Sequence, residues 1–340
     1  MMASKFITWS GWPQNRTALI AEVGMNHGGV EELAWEMILS AHNCGADFVK
    51  LQSFVTKDFF HPDLQCFEVT KSMELSFEVQ RRLFSRARGE GINLITTPFD
   101  SNSVDMVEEF NPLVYKIASM DNDNIPLIKY ISKKNRPVLL SCGMADLGEI
   151  QKIISIMEKV GNDKLILLHC ISDYPTVPEN LNLSMIDLFK SAFGYPVGLS
   201  DHSFGLNSSY VAASMGAQVI EKHFTTDRSL QKEYPDADHD ISINPQEFKK
   251  LRIFCESVPV MMGDAPRKLT ENEKLGRVNM RRGIYAKRNI GIGEKLNIDN
   301  TILLRPVRGI KAGLWDEVCG MEVNRVIPKL NPISFSDLGL

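Results

Sequence analysis

Along the first 260 residues, short apolar runs alternate with stretches whose apolar positions recur every three to four residues. The runs are Leu19-Ile20-Ala21-Glu22, Phe48-Val49-Lys50-Leu51-Gln52, Asn93-Leu94-Ile95-Thr96-Thr97, Val114-Tyr115-Lys116-Ile117, Val138-Leu139-Leu140-Ser141, Leu165-Ile166-Leu167-Leu168-His169, Val197-Gly198-Leu199-Ser200 and Val219-Ile220-Glu221-Lys222. Each has the length and composition of a buried parallel strand. Between them the helical period predicts helices over Glu32 to Asn43, Phe77 to Gly89, Ser103 to Phe110, Ile125 to Lys133, Leu147 to Val160, Ser184 to Ala192 and Ser208 to Met215. A polar loop from Thr226 to Asp240 and a last helix near Pro245 to Glu256 follow the eighth strand. Eight strands alternating with helices over about 250 residues predict an α/β fold of the (β/α)8 barrel type, with a doubly wound open sheet as the alternative.

The pattern breaks after Pro259. Residues 260–280 are polar and without apolar period, so they read as a linker between a barrel domain at 1–259 and a separate unit at 281–340. That unit has short alternating segments and turn residues, among them Ile284-Tyr285-Ala286, Ile290-Gly291-Ile292-Gly293-Glu294 and Leu303-Leu304-Arg305-Pro306. It reads as a small β-rich domain, too short to bury much core by itself.

Composition narrows the function classes. A net charge of −4 in 340 residues lacks the basic excess of a nucleic-acid surface, so anion recognition has to be local. The start, Met1-Met2-Ala3-Ser4-Lys5-Phe6, has no signal-peptide core, and no apolar stretch reaches membrane-spanning length, which makes a cytoplasmic protein the expectation. The six cysteines have no metal-type spacing and read as reduced thiols.

Chemistry gathers at the predicted strand ends, where barrels carry their active sites. The ends hold Glu22; Lys50 with Gln52; Thr96 and Thr97; Lys116 with Ser119; Ser141; His169 with Ser172 and Tyr174; Ser200 with His202; and Lys222 with His223. Lysines ringed by hydroxyls suit a phosphorylated, multiply anionic substrate. His202 and His223 at successive strand ends suit a divalent cation, against the plainer reading of two hydrogen-bonded strand-end histidines. No G-x-S-x-G or G-x-G-x-x-G follows a strand, so serine-nucleophile and dinucleotide chemistry lack support.

Taken in order, these residues resemble the sialic acid synthase family. The resemblance rests on Ile20-Ala21-Glu22-Val23-Gly24-Met25-Asn26-His27, Val49-Lys50-Leu51-Gln52, Thr97-Pro98-Phe99-Asp100, Tyr115-Lys116-Ile117-Ala118-Ser119, His169-Cys170 with Tyr174-Pro175, Gly198-Leu199-Ser200-Asp201-His202 and Glu221-Lys222-His223-Phe224-Thr225. The carboxyl-terminal unit, opening at Arg281-Arg282-Gly283-Ile284, resembles the antifreeze-like (SAF) domain attached to such synthases.

The resemblance implies condensation of phosphoenolpyruvate with an N-acyl hexosamine to a nine-carbon 2-keto acid, with release of phosphate. N-acetylmannosamine is the first acceptor it suggests, and a 2,4-diacetamido sugar leading to legionaminic or pseudaminic acid is the alternative. It implies that His202 and His223 hold Mn2+ or Mg2+; that Lys50, Thr97, Lys116, Ser119, Ser141, Ser172 and Ser200 bind phosphoenolpyruvate; and that Glu22 acts on the attacking water. Gln52, Tyr174 and Asp238 would meet the sugar, with Asp236 or Asp240 able to share the last role. Arg305 would reach the N-acyl end of the acceptor, through a domain-swapped homodimer. Two readings of other classes stand beside it: an inactive barrel serving as a carbohydrate- or ice-binding module, and an aldolase working through a Schiff-base lysine.

Overall fold

The computed structural model describes residue 9, residues 11–263 and residues 266–340. Met1 to Phe6, together with Asp264 and Ala265 of the expected linker, lie outside them. The chain divides into two compact units, one ending at Gly263 and the other beginning at Asp264.

The first unit is a nearly closed (β/α)8 barrel. Its order is β1 (Ala18–Gly24), α1 (Glu31–Asn43), β2 (Phe48–Ser53), α2 (Thr56–Phe59), α3 (Phe67–Ser72), α4 (Phe77–Gly89), β3 (Leu94–Pro98), α5 (Ser101–Glu108), β4 (Tyr115–Ile117), α6 (Ile125–Ser132), β5 (Val138–Ser141), α7 (Leu147–Lys159), β6 (Leu165–Cys170), α8 (Met185–Phe193), β7 (Val197–Asp201), α9 (Asn207–Ser214), β8 (Val219–His223) and α10 (Pro245–Met262). Parallel ladders run from β3 through β2 and β1 to β8, then back through β7, β6 and β5 to β4. The β1–β8 ladder rules out the doubly wound sheet, which has free edges where this one wraps round. Among the described residues only the seam between β3 and β4 lacks a ladder, and β4 is just three residues long.

Strand parity builds two cores. Inward residues Ala18, Ile20, Phe48, Ile95, Val114, Leu139, Ile166, Leu168 and Val219 pack with Trp12, whose ring lies 5.2 Å from that of Phe48. The opposite parity meets the helices. On α7, Ile150, Ile153, Ile154 and Met157 form one buried stripe, begun by a capping box in which Asp146 accepts from Glu149 N and Glu149 accepts from Asp146 N. Each inward column therefore starts apolar and ends polar, which concentrates the polar groups at the carboxyl-terminal mouth.

The last barrel helix is longer than the apolar pattern implies, running on through Pro259 to Met262, where Val260, Met261 and Met262 are exposed. A further helix, α11 (Glu271–Asn279), occupies part of the segment expected as linker. Thr270 and Glu273 cap it, and it buries no residue, so it leaves no apolar stripe for a periodicity argument to find. In the second unit β9 (Gly283–Ala286) pairs antiparallel with β10 (Thr301–Leu304) over a core of Ile284, Ile290, Leu296, Ile310, Val323, Ile327 and Ile333.

Candidate active site

The inward, carboxyl-terminal side chains enclose a cavity of about 280 Å³. Glu22, Lys50, Gln52, Thr97, Lys116, Ser119, Ser141, Ser172, Tyr174, Ser200, His202 and His223 all line it, so the barrel residues to which the family resemblance gives a role, Asp238 apart, face one space.

Its floor is a cluster of four charges. Glu22 and Lys50 are partners in the β1–β2 register, and Lys50 Nζ lies 2.6 Å from Glu22 Oε2 while donating to Thr97 Oγ1 at 2.9 Å. Gln52 Nε2 donates to Glu22 Oε1 at 3.1 Å. Just past Glu22 the β1–β2 register shifts, at Gly24 with φ +56°, a backbone angle that suits glycine. On the far side Ser200 Oγ donates to Glu221 Oε1 at 3.1 Å, and Glu221 stands 3.8 Å from both Lys50 and Lys116.

All four ionisable groups are buried, and their surroundings pull them apart. Burial raises the Glu22 pKa despite the nearby Lys50 ammonium. For Glu221 burial is outweighed by Lys116, Lys50 and the Ser200 hydroxyl, which hold it below the ordinary carboxylate value. Burial lowers Lys116, whereas Lys50, equally buried, is held up by Glu22 and Glu221. Two carboxylates with opposed shifts are the arrangement that separates an acid from a base in one site. Several polar atoms here are buried without a hydrogen bond: Ser141 Oγ, Glu221 Oε2 and His223 Nδ1. A ligand with its own donors and acceptors would supply what they lack.

The two histidines lie at the other wall, ring centroids 5.5 Å apart. His202 Nδ1 meets the Ile171 carbonyl at 2.8 Å, which makes it the donor; burial pulls the His202 pKa down, but Cys170, that carbonyl and Glu221 outweigh it and the net shift is upward. Burial holds His223 well below the usual imidazole pKa, so it is neutral and able to ligate. Tyr174 stacks on His202 with centroids 4.0 Å apart. Among the described residues no group of three or more His, Cys, Asp and Glu side chains is arranged around one metal position. A cation at this wall would have His202 and His223 as its protein donors and would need its remaining ligands from substrate and water.

Asp238 adjoins this wall, its Oδ2 3.7 Å from His223 Nδ1. Asn26 holds it there. The Asn26 amide donates to Phe224 O and Ser242 Oγ, both at 2.9 Å, and its Oδ1 accepts from Asp238 N at 2.8 Å. Asp236 and Asp240, the possible substitutes for Asp238, are exposed. Arg305 belongs to the second unit, where with Arg282, Lys287 and Trp315 it lines an open cavity of about 820 Å³.

Three strand-end residues are elsewhere. Lys222 points away from the barrel axis and pairs with Asp201 at 3.0 Å, both fully buried against the helix layer. His169 also faces outward, its Nε2 meeting Leu181 O at 2.7 Å beside the Phe189 ring. Thr96 bonds Ser53 behind the wall, at 2.8 Å. Conversely Glu221, Phe99, Met120, Met144 and Cys170 line the cavity with no role assigned from the sequence. For Glu221 the signal was present, since on β8 it shares the parity of His223 whereas Lys222 does not.

Comparison with known proteins places this architecture. The NeuB family model matches residues 37–267, and the SAF domain model matches residues 281–339. The chain belongs to the NeuB family. It is thus a sialic-acid-synthase-type enzyme with a carboxyl-terminal SAF domain. An uncharacterised protein of Methanocaldococcus jannaschii is 42% identical over 87% of this chain and 86% of its own. The N,N'-diacetyllegionaminic acid synthase of Campylobacter jejuni is 35% identical over 90% of this chain and 95% of that protein. Among solved structures, the N-acetylneuraminic acid synthetase of Leptospira borgpetersenii, crystallised with citrate, superposes with a TM-score of 0.74 at 34% identity, covering 80% of this chain and 95% of that one.

Proposed function

We propose that the chain condenses phosphoenolpyruvate with the open-chain aldehyde of an N-acylated hexosamine, adding water and releasing phosphate to give a nine-carbon 2-keto acid. The observation that carries this reading is the Glu22–Lys50–Glu221–Lys116 cluster facing the two imidazoles of His202 and His223 across one small cavity. Lys50, Lys116 and the hydroxyls of Thr97, Ser119, Ser141, Ser172 and Ser200 bind the anion. Carbon 3 of phosphoenolpyruvate attacks the aldehyde, and positive charge develops at carbon 2. Glu22, its proton affinity raised by burial, orients the water that adds there and accepts its proton; the tetrahedral adduct then expels phosphate with cleavage of its C–O bond. A Mn2+ or Mg2+ ion between His202 and His223 would polarise the aldehyde oxygen.

Gln52, Tyr174 and Asp238 contact the sugar in this reading, and Arg305 takes the N-acyl end, carried over with the homodimer from the family resemblance. For the acceptor we place the 2,4-diacetamido hexose first, because a legionaminic acid synthase aligns over 95% of its length at 35% identity. N-acetylmannosamine is the alternative.

The test is phosphate release from phosphoenolpyruvate by wild type, His202→Ala and His223→Ala, and by wild type after chelation and re-addition of Mn2+. Release that requires acceptor, stops on chelation, returns with Mn2+ and is lost in both variants is expected. Unaltered turnover in the variants or in chelator would sink the two-histidine site.

A further inference from the structure

We propose that Gly143 is a positioning residue for the substrate anion, keeping open a ledge on which the Ser119 and Ser172 hydroxyls converge. The inference rests on the reading of the cavity as a phosphoenolpyruvate site.

Gly143 follows β5 and lies in the turn before α7. Its amide donates to Ser119 Oγ at 3.1 Å, and its carbonyl accepts from Asn122 Nδ2 at 3.0 Å, so the turn is clamped to the segment after β4. A Cβ built on Gly143 would stand 2.4 Å from Ser172 Oγ and 2.7 Å from Ser119 Oγ. Both hydroxyl oxygens therefore crowd the face that glycine leaves bare.

Backbone angles do not explain the glycine. Its φ lies outside the left-handed region, and the residue in this turn that does take a left-handed angle is the next one, Met144, at φ +60°. The position that glycine would suit conformationally carries methionine, and glycine occupies the position where space is short. The two severe clashes are with hydroxyl oxygens, which can rotate away at small cost to the fold, and the third neighbour, Ser119 Cβ at 3.2 Å, needs to give by only a few tenths of an ångström. Rotation would carry the Ser119 and Ser172 hydroxyls off a ligand, and for Ser119 would also disturb its bond from the Gly143 amide. A methyl group at 143 is thus tolerable for folding and harmful for binding.

The experiment is calorimetric titration of phosphoenolpyruvate into wild type, Gly143→Ala, Ser172→Ala and the double variant, with thermal midpoints for all four. Gly143→Ala should weaken phosphoenolpyruvate binding about tenfold or more, the worth of one or two hydrogen bonds to a charged group, and shift the midpoint by no more than about 3 °C. The double variant should bind no worse than the weaker single variant, because both changes disable the same hydroxyl. Wild-type affinity in Gly143→Ala, or losses that add fully in the double variant, would overturn the positioning role. Failure of the wild type itself to bind phosphoenolpyruvate would overturn the functional reading beneath it, which distinguishes the two.

Discussion

Lys50 and Glu22 form a 2.6 Å ion pair inside the barrel, each side chain only 3% exposed. Placing such a pair out of water recovers little net stability, since desolvation offsets most of the attraction. In the proposed reaction its placement makes sense as chemistry: the pair fixes a carboxylate of raised proton affinity beside the ammonium assigned to the substrate anion.

Glu22→Gln keeps the volume and the contact with Gln52 and removes the base. Turnover should fall by about 10²- to 10⁴-fold, the usual worth of a positioned acid–base group. Phosphoenolpyruvate binding should hold or tighten, as one negative charge leaves the anion site. Stability can drop by up to about 3–5 kcal/mol because Lys50 loses its partner, so activity should be read where circular dichroism shows the variant folded. Wild-type turnover in a folded variant would remove Glu22 from the reaction.

Lys116 is the less committed cation, with its nearest acidic partner, Glu221, 3.8 Å away. Lys116→Met retains the aliphatic stem and loses the charge. The KM for phosphoenolpyruvate should rise about ten- to a hundredfold, and because Glu221 keeps only Lys50 as a cationic partner the thermal midpoint should hold or fall, so KM is read where the variant is folded. Its lowered pKa is also what a Schiff-base lysine needs. Borohydride with pyruvate should nonetheless leave the protein mass unchanged, and an adduct at Lys116 would favour the aldolase class.

Asn26 ties the turn after β1 to the loop after β8 through Phe224, Ser242 and Asp238. Asn26→Ala should loosen the Asp238 loop and raise the KM for the acceptor severalfold while leaving phosphoenolpyruvate binding intact. Equal loss for both substrates would point to a general packing role.

Strand positions and the polar mouth were legible because the barrel imposes strong rules: apolar runs of strand length, helical stripes between them, and chemistry at the strand ends. What the runs leave open is which face each residue takes. Lys222 and His169 stood at strand ends and proved to face the helices, while Glu221, next to Lys222, faces the cavity. Counting parity from His223 would have exchanged the roles of Glu221 and Lys222. Helix α11 escaped notice for a different reason: with no residue buried, only its Thr270–Glu273 capping box marks it. The convergence of Gly143 with Ser119 and Ser172 depends on three separate loops and has no signature in any of them.

Product analysis tests the central claim most directly. Phosphoenolpyruvate carrying 18O in its bridging position is incubated with the protein, Mn2+ and either a 2,4-diacetamido hexose or N-acetylmannosamine, with and without 6-phosphate, and read by mass spectrometry. The account predicts a nine-carbon 2-keto acid equal in mass to acceptor plus pyruvate, formed one for one with phosphate that contains the 18O. Phosphate released without a sugar adduct, or an adduct that retains the bridging oxygen, would contradict it.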